Sequence, residues 1–168
     1  MTNQEVYQWI YYACDSTGHP ELRYKIFWNW NNRFTDKAGD AKITSSGTGR
    51  IRLGSKVLAL ADEQTVIDTI VHETCHIIDL FINGRDNSGT DGHGPKWQEL
   101  MKRCGVVPER YHCINTDCLR KRFEASCACK THKITANSLT KMKRGVKYRC
   151  LLCKTFLRCT QLSNEKTT

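Results

Sequence analysis

Residues His72-Glu73-Thr74-Cys75-His76 read HExxH, a spacing with direct chemical meaning. Four residues is about one helical turn, so on a helix both imidazoles leave from one face and can share a tetrahedral zinc. Glu73 then sits beside the metal, placed to take a proton from water rather than to ligate. Zinc lowers the pKa of the water it holds to about 7. A catalytic zinc takes three protein ligands and keeps a fourth position open. His93, in Gly92-His93-Gly94, is the expected third ligand, because flanking glycines let backbone and imidazole approach the metal closely. Glu99 is its rival and would give a His-His-Glu site. His19 reads as a turn residue. Asp79 could orient a ligand or lie in solvent. Without a metal, the motif would be two surface or core histidines.

A second set of residues with metal-ligand spacing lies further on. Cys129-x-x-His132 and Cys150-x-x-Cys153 form two knuckles separated by 17 residues, the spacing of a zinc ribbon, in which two tight turns each offer two ligands. Cys127-Ala128-Cys129 offers two candidates for one place, so Cys127 stands as the alternative ligand. Cys113, Cys118 and Cys159 are unassigned, with His112 a further candidate beside them. The plain alternative is a set of reduced cysteines without metal.

The elements that must position these residues can be read from periodicity. Val6, Trp9, Ile10 and Ala13 recur at helical spacing, with Cys14 continuing the apolar face and Gly18 and Pro20 ending the helix. Arg23–Asn32, Lys37–Ser45 and Gly49–Leu60 have strand character and predict a three-stranded antiparallel sheet. A long helix is expected from about Asp62, its N-cap, to about Ile82; its broad apolar coverage makes it the central buried helix. Asn83–Gly92 reads as a loop. A further helix begins near Pro95, turns Trp97, Leu100, Met101 and Cys104 inward, and stops at Gly105 and Pro108. The expected fold class is α+β: a small zincin-type domain over 1–108 (N-terminal helix, short antiparallel sheet, HExxH helix, further helix). A basic zinc-ribbon module over 109–160 and a flexible tail over 161–168 follow. A module this cysteine-rich could hardly build its own apolar core, so a structural metal would supply stability. Two zinc ions per chain are expected, one catalytic and one structural.

Composition narrows the class. The chain has 168 residues, 39% of them hydrophobic, which is globular rather than disordered. No secretory leader and no apolar run long enough for a membrane span are read, so a cytoplasmic monomer is expected. Eight of the ten cysteines lie at or after Cys104, which in a reducing compartment points to metal rather than disulfides. A secreted disulfide protein is the alternative. Net charge is +9, unevenly spread. Residues 1–100 hold 10 basic and 13 acidic side chains, a balance of −3, and residues 101–160 hold 15 and 3, a balance of +12. Such a basic module suits a polyanion, nucleic acid above all, though a solvated lysine-rich face would look the same.

The stretch from Ile67 to Gly105 resembles the SprT-like metalloprotease family, which includes the Spartan proteases that cut DNA–protein crosslinks. The resemblance rests on HExxH, on Gly92-His93-Gly94-Pro95 after a loop, and on Trp97 two residues past the proline. Upstream, Trp30-Asn31-Asn32-Arg33, Gly39 and Ile51-Arg52-Leu53 are similar to the family's strand region, and CACKTHKIT with GVKYRCLLCKTFL is similar to a bacterial ribbon. It implies that His72, His76 and His93 are ligands, that Glu73 is the catalytic acid/base, and that the substrate is a DNA-bound protein. Two other functions compete: a nucleic-acid-binding zinc protein with a vestigial or regulatory protease site, and a zinc hydrolase of non-peptide bonds.

Overall fold

The first helix, α1 (Asn3–Ser16), starts at a reciprocal cap. The Thr2 hydroxyl accepts from the Glu5 N–H at 3.3 Å, and the Thr2 N–H donates to the Glu5 carboxylate at 2.6 Å. Val6, Ile10, Ala13 and Cys14 form its buried face, as the periodicity predicts, while Trp9, expected with them, is only partly buried at its edge. This is a computed structural model that describes residues 1–84, 92–110, 114–119 and 122–159. The chain divides into two compact units, Met1–Leu119 and Arg120–Thr168.

In the first unit a 3-10 turn, Pro20–Lys25, leads into strands β1 (Ile26–Asn31), β2 (Gly39–Ile43) and β3 (Gly49–Gly54). The expectation of an antiparallel sheet is corrected. The order is β1-β3-β2, with β2 antiparallel to β3 but β1 parallel to it, Ile26 facing Gly49 and Trp30 facing Leu53. Alternation reports which face is buried, here Gly49, Ile51 and Leu53, and is the same for either strand direction. Direction is set by connection. The Thr44–Thr48 turn folds β2 back along one edge of β3, and β1 takes the other edge. The strands are also shorter than expected: residues 55–58 form a helical turn, α2 (Ser55–Leu58), and Pro20 opens the 3-10 turn that takes up residues 23–25.

The long helix, α3 (Glu63–Asn83), begins where Asp62 accepts from the Thr65 N–H at 2.7 Å and ends at Gly84, whose φ of 68° suits glycine. Ile70, Val71, Cys75, Ile77 and Ile78 are fully buried, and so are Thr69 and Thr74. It packs against α1, β2 and β3, and against α4 (Pro95–Arg103), which buries Trp97, Leu100 and Met101. No helix among the described residues is long and apolar enough to cross a membrane.

The second unit holds β4 (Arg122–Ser126), β5 (Thr131–Thr135), α5 (Ala136–Lys143) and β6 (Arg158–Cys159), with an antiparallel sheet ordered β5-β4-β6. Among its described residues only Ala125 and Cys150 are buried apolar groups, too few for a self-sufficient core.

Candidate functional site

His72 and His76 project from one face of α3, and His93 reaches the same point from the segment that enters α4. His76 Nε2 and His93 Nε2 lie 3.1 and 3.3 Å from His72 Nε2. A tetrahedral zinc with bonds of about 2.0–2.1 Å separates its nitrogen ligands by about 3.3–3.4 Å. The donor set and its spacing therefore fit such an ion. Glu99 does not join them: it is exposed on α4 and accepts from Arg103 at 3.3 Å. His19 lies 3.4 Å from Glu21, away from the cluster. Asp79 is not in solvent; it is buried and accepts from Asn83 at 2.7 Å.

Glu73 is 7% exposed and lines the same cleft as the three histidines. Burial pushes its carboxyl up to about 8, the nearby negative charge of Asp40 adds to the rise, and Lys37 opposes it. Cys75 is fully buried, and its thiol is raised by hydrogen bonding to Cys104, whose sulfur lies 3.9 Å away, and by burial. It has the setting of an inert thiol.

The cleft has a volume of about 360 Å³. One wall is residues 36–39, leading into β2; another is Arg110, Ile114 and Thr116, from the irregular chain after α4. Gly39 apart, which belongs to the strand region that carries the family resemblance, these wall residues carry no motif spacing and escape sequence reasoning. Gly39 packs directly on Glu73: a Cβ there would lie 2.8 Å from Cγ and 2.9 Å from Oε1. Only a residue without a side chain permits this approach.

In the second unit the sulfurs of Cys127, Cys129, Cys150 and Cys153 gather within 4.8 Å of one another. Cys129 Sγ lies 3.4 Å from Cys127 Sγ and 3.7 Å from Cys150 Sγ, close to the about 3.8 Å edge of a tetrahedron with Zn–S bonds of about 2.3 Å. The structure places Cys127 in this group and His132 beside it, Nε2 at 3.2 Å from Cys127 Sγ. The reason is the turn after β4, where the Cys127 N–H donates to the Lys130 carbonyl and brings both early cysteines to one side. His132 already belongs to β5, paired with Ala125. The Thr155 hydroxyl, 3.0 Å from Cys153, and the Thr155 N–H lower that thiol to about 5, which favours a thiolate. Cys118 and Cys159 are exposed and outside both groups. Cys113 and His112 lie outside the described residues.

The class this arrangement defines is an α+β protein whose HExxH helix carries a candidate metal centre. The SprT-like family model matches residues 6–118, and the chain belongs to that family. Protein SprT of Yersinia pestis is 33% identical over 141 residues, covering 82% of this chain and 75% of that protein. The human germ cell nuclear acidic protein is 26% identical over 166 residues, 93% of this chain but 22% of its own length. The DNA-dependent metalloprotease SPRTN of Danio rerio is 32% identical over 88 residues, 47% of this chain and 14% of that protein.

Proposed function

We propose that this protein is a zinc-dependent endopeptidase of the SprT type that acts on DNA-associated proteins. The observation that carries the proposal is the convergence of three imidazole nitrogens, those of His76 and His93 within 3.3 Å of His72 Nε2, beside a buried carboxyl in one cleft. His72, His76 and His93 would hold the ion, which when bound supplies a Lewis acid that acidifies water and polarises a carbonyl. Glu73 takes the proton from the attacking water and delivers it to the leaving amine nitrogen. Burial raises this carboxyl in the metal-free protein, and the charge of a bound ion beside it would draw it back toward the carboxylate form that accepts a proton.

A protein substrate suits the cleft wall. In the order β1-β3-β2, β2 is an edge strand, and no described strand pairs with its outer side. An extended segment can lie along residues 36–39 by main-chain pairing, beside Glu73. The relative named as a DNA-dependent metalloprotease supports a DNA context. So does the second unit, where residues 122–159 expose ten lysines and arginines against one acid, Glu124. These fit phosphate contacts without sequence readout. Cys127, Cys129, Cys150 and Cys153 would hold a structural zinc there. We assign the protease to the unit Met1–Leu119, which holds every residue of the cleft, and the ribbon to the unit that begins at Arg120, a boundary about ten residues beyond the expected one at 108, in a cytoplasmic monomer.

The test is Glu73→Gln. The variant should keep its zinc and lose cleavage of unfolded casein and of DNA-binding proteins, with and without DNA. Equal cleavage by variant and wild type defeats the proposal.

A further inference from the structure

We propose that Trp97 is the positioning residue of the three-histidine cluster, fixing all three imidazoles in the orientation a zinc ion requires. The inference rests on the metal reading of that site. Trp97 lies in the first turn of α4 and is 1% exposed. Its ring centroid is 4.8 Å from that of His72, 5.2 Å from His76 and 4.7 Å from His93. His76 lies nearly flat against the indole, at 20°, while His72 and His93 meet it at 67° and 81°. The indole N–H also points at the His72 carbonyl, at 3.5 Å. One side chain thus touches ligand candidates from two separate pieces of chain.

Each imidazole needs such a contact. The ring torsion of histidine is broad and roughly two-fold, so an unconstrained ring turns its Nε2 away from the metal as easily as toward it. His72 and His76 have a helix to fix their Cβ atoms. His93 is carried by a glycine-flanked segment, with Gly92 at φ 78° and the Gln98 amide donating to the His93 carbonyl at 3.1 Å. For His93 the indole adds a packing constraint on the ring itself. Trp97 also explains how α4 docks: the ring that fills the core beneath α3 is the one that sets the spacing of the cluster.

The test uses the full chain with zinc as the probe. Metal affinity is read by competition with a chelator, and ring geometry by histidine ¹⁵N NMR, which does not see the four sulfurs. Trp97→Leu should weaken zinc binding at the histidines about 10- to 100-fold, as loss of groups that orient ligands does. It should also broaden the imidazole resonances in the metal-free protein. Trp97→Phe keeps a ring against His76 and should lose measurably less. A folded Trp97→Leu protein with wild-type affinity and sharp imidazole resonances overturns the proposal. Should Trp97→Leu fail to fold, Trp97→Phe carries the test: weaker zinc binding at unaltered thermal stability supports it, and unchanged binding overturns it. If zinc leaves the wild-type imidazole resonances unmoved, it is the metal reading itself that fails.

Discussion

Replacing Gly39 by alanine should disable the protein without unfolding it or removing its metal. The added Cβ would lie 2.8 Å from Glu73 Cγ, 2.9 Å from Oε1 and 3.1 Å from Cδ. Carbon atoms in contact ordinarily sit about 3.5–4.0 Å apart, so the Glu73 side chain must move by about 0.7 Å or more. It is 7% exposed and the room beside it is the cleft itself, so moving there takes the carboxyl off its place beside the histidines. A displacement on the order of 1 Å at a reacting group costs about 100-fold in rate. We therefore expect kcat on labelled casein to fall about 100-fold in Gly39→Ala, with zinc content unchanged because no histidine is touched. Gly49→Ala is the contrasting control. Its Cβ would run into Ile77 Cγ2, a core side chain away from the carboxyl. It should therefore cost about 1–3 kcal/mol of stability, as overpacking does. Turnover by Gly39→Ala within threefold of wild type, or loss of zinc in place of turnover, refutes the reasoning.

Stability of the metal-free protein should depend on pH through Glu73. Its folded pKa, about 8, lies above its ordinary value of 4.5, so the folded state keeps a proton that the unfolded chain has released. The stabilisation is complete below 4.5 and is lost as pH rises to about 8, by at most roughly 5 kcal/mol. Urea unfolding of chelated protein at pH 6 and pH 9, followed by tryptophan fluorescence, should show this loss in wild type and not in Glu73→Gln; equal losses would count against it. All four tryptophans lie in the first unit, so the signal reports that unit alone. In the second unit Cys127→Ser should release one zinc per chain while His132→Ala retains it, measured by metal analysis; the reverse result would restore the Cys-x-x-His knuckle.

The parts legible in the sequence were those governed by local rules. Asp62 and Gly84 bracket α3 because a cap and a left-handed terminus leave residue-type signatures, and the helical period then put His72 and His76 on one face. Strand direction was not legible, since Ile51 and Leu53 alternate inward whichever way β1 runs. Nor was α5, eight residues capped by Thr135 with no buried side chain to mark a face. Spacing favoured Cys129 with His132 and left Cys127 as the alternative to Cys129, but the turn closed by Lys130 brings both Cys127 and Cys129 to the group. The cleft walls, Gly39 and Arg110 among them, come from chain segments far apart in sequence, and only folding brings them together.

Zinc stoichiometry of the purified full chain, wild type beside His93→Ala, tests the account at its centre. Two ions per wild-type chain and one in the variant are expected, because the third imidazole completes one cluster and does not touch the other. The same zinc content in both proteins would contradict it.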